Sequence, residues 1–417
     1  MKKSTEKLFL ILIPALFTFP LFKENISSFF FILLTVNTLI HTIVTKSYKT
    51  FDLKTLWLTI PFFIILIYSL LSDDPAGNLP FLDRGLFFLL FPVIFELIPK
   101  HYFTKDKISL YLAILKNGCL LICFAYIAAF FYYHSYTEFL KIDYNISAFR
   151  DFVYSEIKFF KIHPTYFSAI LILCVALSFE RFLKDKKKYE LIYIVVFLLL
   201  ILLLLTKLNI IFITVMIPCM ILFRSGFSTK YKVRSILLFV SIAVVSVIFI
   251  PGIKNRFWEF YNSYDKPPVD LAYDSTNIRV SILKCSKDIA RENYMFGVGF
   301  KNLQKELYQC FEENYDSSFY ESTNYLTHNY YTYILLCTGI FGLIAFVFYS
   351  FKVFRIAYRL NYFLLNIALL NIFVLCFIED YLYRHYGLFF FSLILMSFMN
   401  YSKATYPSQE LQSQKSF

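Results

Sequence analysis

Apolar positions in this chain come in long, nearly unbroken blocks separated by short polar connections, without the period-2 alternation of half-buried strands or the narrow stripe of a surface helix. A hydrocarbon core ~30 Å thick takes about 20 helical residues. Blocks of that size predict twelve spans, approximately 8–22, 27–44, 55–72, 84–99, 108–133, 163–183, 190–206, 208–223, 235–252, 328–350, 360–378 and 385–400. Two polar stretches are too long to be simple turns: 134–162, and 253–327 with helical patterning around Ile282–Arg291 and Leu303–Phe311. Loops beyond ~15 residues are usually functional or disordered, and the aromatic content of these two argues against disorder. The expected organisation is nine spans in 1–252 with the smaller outer loop at 134–162, a large loop at 253–327, three spans in 328–400 and a polar tail at 401–417. The fold class is an all-α integral membrane protein.

One block needs its own argument. Leu191 to Phe223 is apolar almost throughout, and as a single helix at 1.5 Å per residue it would be ~50 Å long, beyond any hydrocarbon core. Basic residues flank it on both sides, Arg181 to Lys188 before and Arg224 to Arg234 after. Both flanks therefore belong on one side, and the block should be a hairpin. Its tip falls at the polar interruption Thr206-Lys207-Leu208-Asn209, because a lysine centred in lipid costs ~3 kcal/mol.

Composition agrees with this picture. Hydrophobic residues make up 58% of the 417, Phe alone numbers 52, and the mean hydropathy is +0.59; soluble chains are roughly 45–50% apolar. The net charge of +12 would suggest nucleic acid in a soluble protein. Here the cations instead cluster in alternate connections, at Lys2/Lys3/Lys7, Lys46/Lys49/Lys54, Lys100/Lys105/Lys107, Lys184 to Lys188, Arg224/Lys230/Lys232/Arg234 and Lys352/Arg355/Arg359. That side is cytoplasmic by the positive-inside rule. Acidic connections such as Asp73-Asp74 and Glu379-Asp380 fall on the other side. The first block contains Pro14 and Pro20 and lacks a small-residue cleavage site, so it reads as a retained span. The eight cysteines show no metal-ligand spacing. Two of them, Cys285 and Cys310, lie in the large outer loop, in an oxidising compartment where a disulfide is expected.

Specific polar signals concentrate between Thr276 and Gly342. Thr276-Asn277-Ile278-Arg279 is followed by Gly297-Val298-Gly299, and then by His328-Asn329 at the mouth of the apolar run that contains Gly339 and Gly342. The topology places Lys207, Arg279 and His328 at the outer face. An Arg fork and a Lys point charge suit phosphate oxygens, and an imidazole titrating near neutrality suits a general base. Arg84, Arg150, His163 and Asn329 lie on the same side and are candidates to line a substrate path. Simpler roles compete with these readings: Arg279 paired with Asp274, Lys207 snorkelling at a hairpin tip, and Glu379 paired with Arg384.

These same residues carry a family resemblance. The run from His328-Asn329-Tyr330-Tyr331 to Gly339, the Thr276 to Arg279 segment with Gly297 and Gly299 after it, and a basic hairpin tip resemble the O-antigen ligase and O-antigen polymerase superfamily. The resemblance implies a glycosyltransferase-C-like membrane fold with one large periplasmic loop in the bacterial inner membrane. It also implies transfer of a glycan from an undecaprenyl diphosphate carrier to a lipid A-core or glycan acceptor, with neither metal nor other cofactor and no nucleic acid. By this resemblance Arg279 and Lys207 bind the donor diphosphate and His328 activates the acceptor hydroxyl. Members often carry Ser-Arg where this chain has Thr206-Lys207, which keeps the charge and loses the bidentate fork. A transporter of lipid-linked sugars is the reading from another class, but transporters place their charges near the bilayer midplane, whereas here they gather at the outer face.

The topology is open to a direct check by introduced cysteines. An impermeant thiol reagent applied to intact spheroplasts should modify a cysteine at Asp316 and spare one at Lys187, and the reverse pattern would invert the whole scheme.

Overall fold

A computed structural model describes residues 1–405, except 73, 144–145, 158–159, 161, 223–227, 251, 271–272 and 322. Asp73, Arg224 and the tail beyond 405, which entered the arguments above, lie outside the described residues. In chain order the helices are α1 (Lys2–Leu16), α2 (Glu24–Thr45), α3 (Ile60–Leu70), α4 (Leu79–Leu97), α5 (Lys105–Tyr133), α6 (Tyr136–Phe139) and α7 (Ala148–Asp151). They continue with α8 (Pro164–Asp185), α9 (Glu190–Leu203), α10 (Lys207–Leu222), α11 (Thr229–Phe249), α12 (Ile253–Ser263), α13 (Ser275–Glu292) and α14 (Leu303–Asn314). The last three are α15 (Tyr330–Leu360), α16 (Phe363–Leu375) and α17 (His385–Thr405). Beyond these and short 3-10 or π turns, the described residues contain one antiparallel pair, Ile142–Asp143 with Ile146–Ser147. Six helical stretches among the described residues are long and apolar enough to cross a membrane: Glu24–Thr45, Leu53–Leu70, Ala76–Leu97, Lys105–Tyr133, Pro164–Asp185 and Tyr330–Leu360. Glu190–Leu203, Lys207–Leu222 and Phe363–Leu375 are shorter apolar helices. The chain is an all-α membrane protein.

Two compact units divide it, one comprising Met1–Leu115 with Pro267–Phe417 and the other Lys116–Lys266. In the first unit α17 is buried over nearly its whole apolar length, as expected of a helix that is hydrophobic on every side, and it packs against α4 and α16. Rings do much of this packing: Phe31 stacks on Phe91 at 4.2 Å, and Phe389 meets Phe91 edge-on at 5.2 Å. Such pairs contribute about 0.5–1.5 kcal/mol beyond area burial. At the end of α4 the buried Glu96 accepts from Lys403 at 2.7 Å and lies 3.5 Å from Lys100, which joins α4 and α17 through a compensated buried charge.

The feature that positions the site is a break in α15. Gly339 has φ 65° and ψ −168°, a conformation glycine adopts without a Cβ penalty. The break exposes backbone groups that a helix inside lipid cannot leave bare. The segment after α13 satisfies them: Val298 N–H donates to Leu336 O at 2.7 Å, Gly299 N–H to Cys337 O at 3.2 Å, and Ile340 N–H to Tyr294 O at 2.8 Å. The two backbones lie so close that a Cβ on Gly297 would stand 2.4 Å from Leu336 O, and one on Gly339 2.1 Å from Met295 O. Gly297 and Gly339 thus let two segments of the chain touch, whereas Gly299, at φ 83°, has nothing within 4 Å of its Cβ position and serves the turn. The expected Cys285–Cys310 disulfide is present, closing 25 residues and tying α13 to α14. In the chain-entropy model a bridge of that span contributes about 3 kcal/mol.

In the second unit the block that begins at Leu191 divides, over its described residues to Leu222, into α9 and α10, with Leu205 at φ 50° between them. The side chains that follow the break are fixed: Thr206 Oγ1 donates to Ser168 Oγ at 3.1 Å, and Asn209 Nδ2 to Thr165 O at 3.0 Å. Deeper in the unit, Lys116 and Glu190 form a buried pair at 2.5 Å.

Gly339→Ala should destabilise the protein by more than ~1 kcal/mol, because it adds φ strain and a clash with backbone that cannot turn aside. Thermal unfolding of the detergent-purified protein checks this: the midpoint should fall, and an unchanged midpoint would show that the contact at the break is not tight.

Candidate active site

Three elements of the first unit converge at the entrance to α15. The first is α13, whose start is fixed by a capping box. Asp274 accepts from Thr276 N–H and Asn277 N–H at 2.7 and 3.1 Å, and Asn277 Oδ1 accepts from Asp274 N–H at 2.8 Å. This satisfies otherwise orphaned donors and leaves Arg279 one turn along. The second is the start of α15, where Asn329 is the N-cap and its Oδ1 accepts from Thr332 N–H at 3.1 Å. The third is the connection between α16 and α17, which carries Glu379 and Asp380; Tyr330 N–H donates to Cys376 O at 2.8 Å and docks α15 on it.

Glu379 joins two of the residues singled out from sequence. Arg279 Nη2 donates to Glu379 Oε1 at 2.8 Å, and His328 Nδ1 stands 3.4 Å from Glu379 Oε2. The side chains of Arg279 and His328 are 35% and 27% exposed and that of Glu379 only 11%, so the carboxylate is the inner member and the cation and imidazole face outward. When Nδ1 donates to Glu379, Nε2 is the nitrogen left to accept a proton. That orientation suits a general base positioned by a carboxylate.

Asp380 holds the histidine's backbone. His328 has φ 46°, a left-handed conformation uncommon for a residue with a Cβ. Its N–H donates to Asp380 Oδ2 at 3.0 Å, and the Thr327 hydroxyl donates to Asp380 Oδ1 at 2.6 Å. Burial pushes the Asp380 carboxyl above its ordinary range, while His328 and the Thr327 hydrogen bond pull it back. Strain held in place by surrounding structure is a mark of functional positions.

The other expected residues lie as follows. Arg84 is in the first unit, its guanidinium 4.6 Å over the Tyr383 ring and 5.6 Å from Phe81, which sets it against the turn after Asp380. Lys207, Arg150 and His163 belong to the second unit. Lys207 pairs with the buried Glu259 of α12 at 3.2 Å. Arg150 Nη1 donates to Leu204 O, capping the C-terminal end of α9 as basic side chains do. His163 is the N-cap of α8, its Nδ1 accepting from Thr165 N–H at 3.3 Å. Arg279 pairs with Glu379 rather than Asp274, which is spent on capping. Glu379 takes Arg279 and His328 in place of the expected Arg384, which lies 5.8 Å from the Tyr383 ring. The acidic dipeptide was visible in the sequence as an outer connection; its role was not, because its partners stand 100 and 51 residues away.

Residues 194–347 match the O-antigen ligase family model. The match opens within α9 and closes within α15, so it contains Lys207, Arg279, His328 and the Gly297–Gly339 contact, and it stops short of Glu379 and Asp380. No curated protein matches the chain.

Asp380→Ala would leave the His328 N–H and the Thr327 hydroxyl without their acceptor in a buried place, a loss of about 1–3 kcal/mol. A lower unfolding midpoint than the parent, partly restored in Asp380→Asn, is the expected result. Equal midpoints for the parent and the alanine variant would mean that this carboxylate does not hold the turn.

Proposed function

We propose that the chain is an O-antigen ligase, a membrane glycosyltransferase, a reading supported by the match of residues 194–347 to the O-antigen ligase family model. It takes a glycan from an undecaprenyl diphosphate carrier and attaches it to a hydroxyl of a lipid A-core acceptor on the periplasmic side of the bacterial inner membrane. The observation that carries the reading is the chain Arg279–Glu379–His328 at the mouth of α15. It sets beside one another a cation for phosphate and a carboxylate-oriented base. Twelve crossings with both ends cytoplasmic and 253–327 outside belong to the same proposal, supported by the distribution of basic connections.

The residues would act as follows. The acceptor hydroxyl gives its proton to His328 Nε2 as its oxygen bonds to the anomeric carbon of the donor glycan. The bond from that carbon to the phosphate oxygen breaks, and the electron pair leaves with undecaprenyl diphosphate. Arg279 stabilises the negative charge that gathers on the leaving oxygens, a term that is often the largest in such reactions. Lys207 remains a candidate diphosphate ligand by the family resemblance alone; it belongs to the second unit, where it pairs with Glu259. Glu379 holds the imidazole in the tautomer that accepts and offsets the imidazolium that forms. Since Arg279 is bound to Glu379, donor phosphate competes for that guanidinium, and its capture leaves the carboxylate to His328.

Arg279→Ala and His328→Ala should each abolish transfer with normal membrane insertion, and Lys207→Ala should weaken it while Lys207→Arg is tolerated. Glu379→Gln should lower turnover by roughly 10²-fold or more, in the range of general base catalysis. A deletion strain should display bare lipid A-core with full-length polymer accumulating on the carrier. Core bearing a single repeat would instead identify the polymerase, with the donor chemistry unchanged, and normal transfer by Arg279→Ala or His328→Ala at matched expression would remove those residues from the mechanism.

A further inference from the structure

We infer that Tyr294-Met295-Phe296 is a re-entrant wedge whose side chains lie among the phospholipid acyl chains of the outer leaflet, so that the segment carrying Arg279 is anchored in the bilayer rather than suspended above it. The inference rests on α15 crossing the membrane and not on the transferase reading.

Three observations carry it. The first is depth. Tyr294 O is bonded to Ile340 N–H, ten residues into α15, and ten residues of helix rise about 15 Å. If α15 enters the hydrocarbon near its cap, that depth lies within the outer half of a ~30 Å core. The second is exposure. Tyr294, Met295 and Phe296 are 58%, 38% and 68% exposed, and three neighbouring large apolar side chains left open in water would be costly. Phe296 lies 6.0 Å from Phe341, and Phe341 and Ile344 are themselves exposed on a helix apolar enough to span. The wedge thus continues the lipid-facing surface of α15, which is what identifies acyl chains as its occupant. The third is the pattern of the segment. Its seven uncharged residues Tyr294 to Phe300 are flanked by Arg291-Glu292-Asn293 and Lys301-Asn302. Lys301 is paired with Asp74 in the turn before α4, so the base of the wedge is tied to the polar level while its tip points inward. Phe300 turns the other way, buried 5.8 Å from Phe81 and 5.9 Å from Tyr333. Aromatic anchors at an interface are common; here the backbone between them is non-helical and is tolerated because α15 satisfies it.

Single-tryptophan fluorescence in reconstituted vesicles tests the idea. In a Trp57→Phe, Trp258→Phe background, Phe296→Trp and, separately, Tyr294→Trp are compared with Ile344→Trp as a lipid-facing reference. Both should emit at short wavelength, resist acrylamide and lose intensity in lipids brominated on the acyl chains, as the reference does. Emission at long wavelength with acrylamide quenching would place the wedge in water and overturn the inference. Protection from both quenchers would show a protein partner covering it and would overturn it equally. A variant that does not reconstitute is replaced by the other, since both side chains sit on the same tip.

Discussion

A helix in lipid cannot break without a partner for the backbone it exposes, and this constraint organises the approach of α13 to α15 in the first unit. The break in α15 at Gly339 needs acceptors and donors supplied from elsewhere, and the Tyr294 to Gly299 segment supplies them in three hydrogen bonds. The consequence reaches beyond the break. Because that segment follows directly on α13, fixing it fixes the C-terminal end of the helix that carries Arg279. The disulfide to α14 and the capping box at Asp274 hold the same helix at two further points. A residue presented on a polar loop of this length would otherwise wander by several ångström, and a misplacement of about 1 Å is enough to cost orders of magnitude in rate.

What α13 delivers is a charge for Glu379. An anion in so enclosed a place needs compensation, and it receives one from Arg279 at 2.8 Å and, when protonated, another from His328. Asp380, the next residue, is treated differently. It is fully enclosed and faces a hydroxyl and an N–H rather than a guanidinium, and burial raises its affinity for protons. Two adjacent carboxyl groups thus acquire distinct tasks from their surroundings alone: one orients the imidazole ring, and the other clamps the backbone that presents it. The left-handed backbone at His328 carries a steric cost, and it is offset by the two hydrogen bonds on Asp380.

The features that the sequence made legible were those encoded by composition over short distances. Blocks of apolar residues located the helices, the polar step at Thr206 marked the division of the Leu191–Phe223 run, and the two loop cysteines announced their bridge. Arg279 and His328 were brought forward by motif and topology together, and the structure sets both against Glu379. Glu379 was not, because its meaning depends on a contact 100 residues away, and a carboxylate between two apolar runs looks the same whether it faces water or a guanidinium. Arg150 shows how charge alone leaves a role open: charge and expected sidedness suggested a substrate path, and the structure has its guanidinium donating to the Leu204 carbonyl at the end of α9. Glycine carried the most hidden signal. Gly297 and Gly339 each look like a turn or a helix flaw in isolation; only because a Cβ at either would stand 2.1–2.4 Å from a carbonyl oxygen of the opposite segment does it follow that the two positions exist for each other, and that the placement of α13 against α15 rests on a contact with no side chains in it.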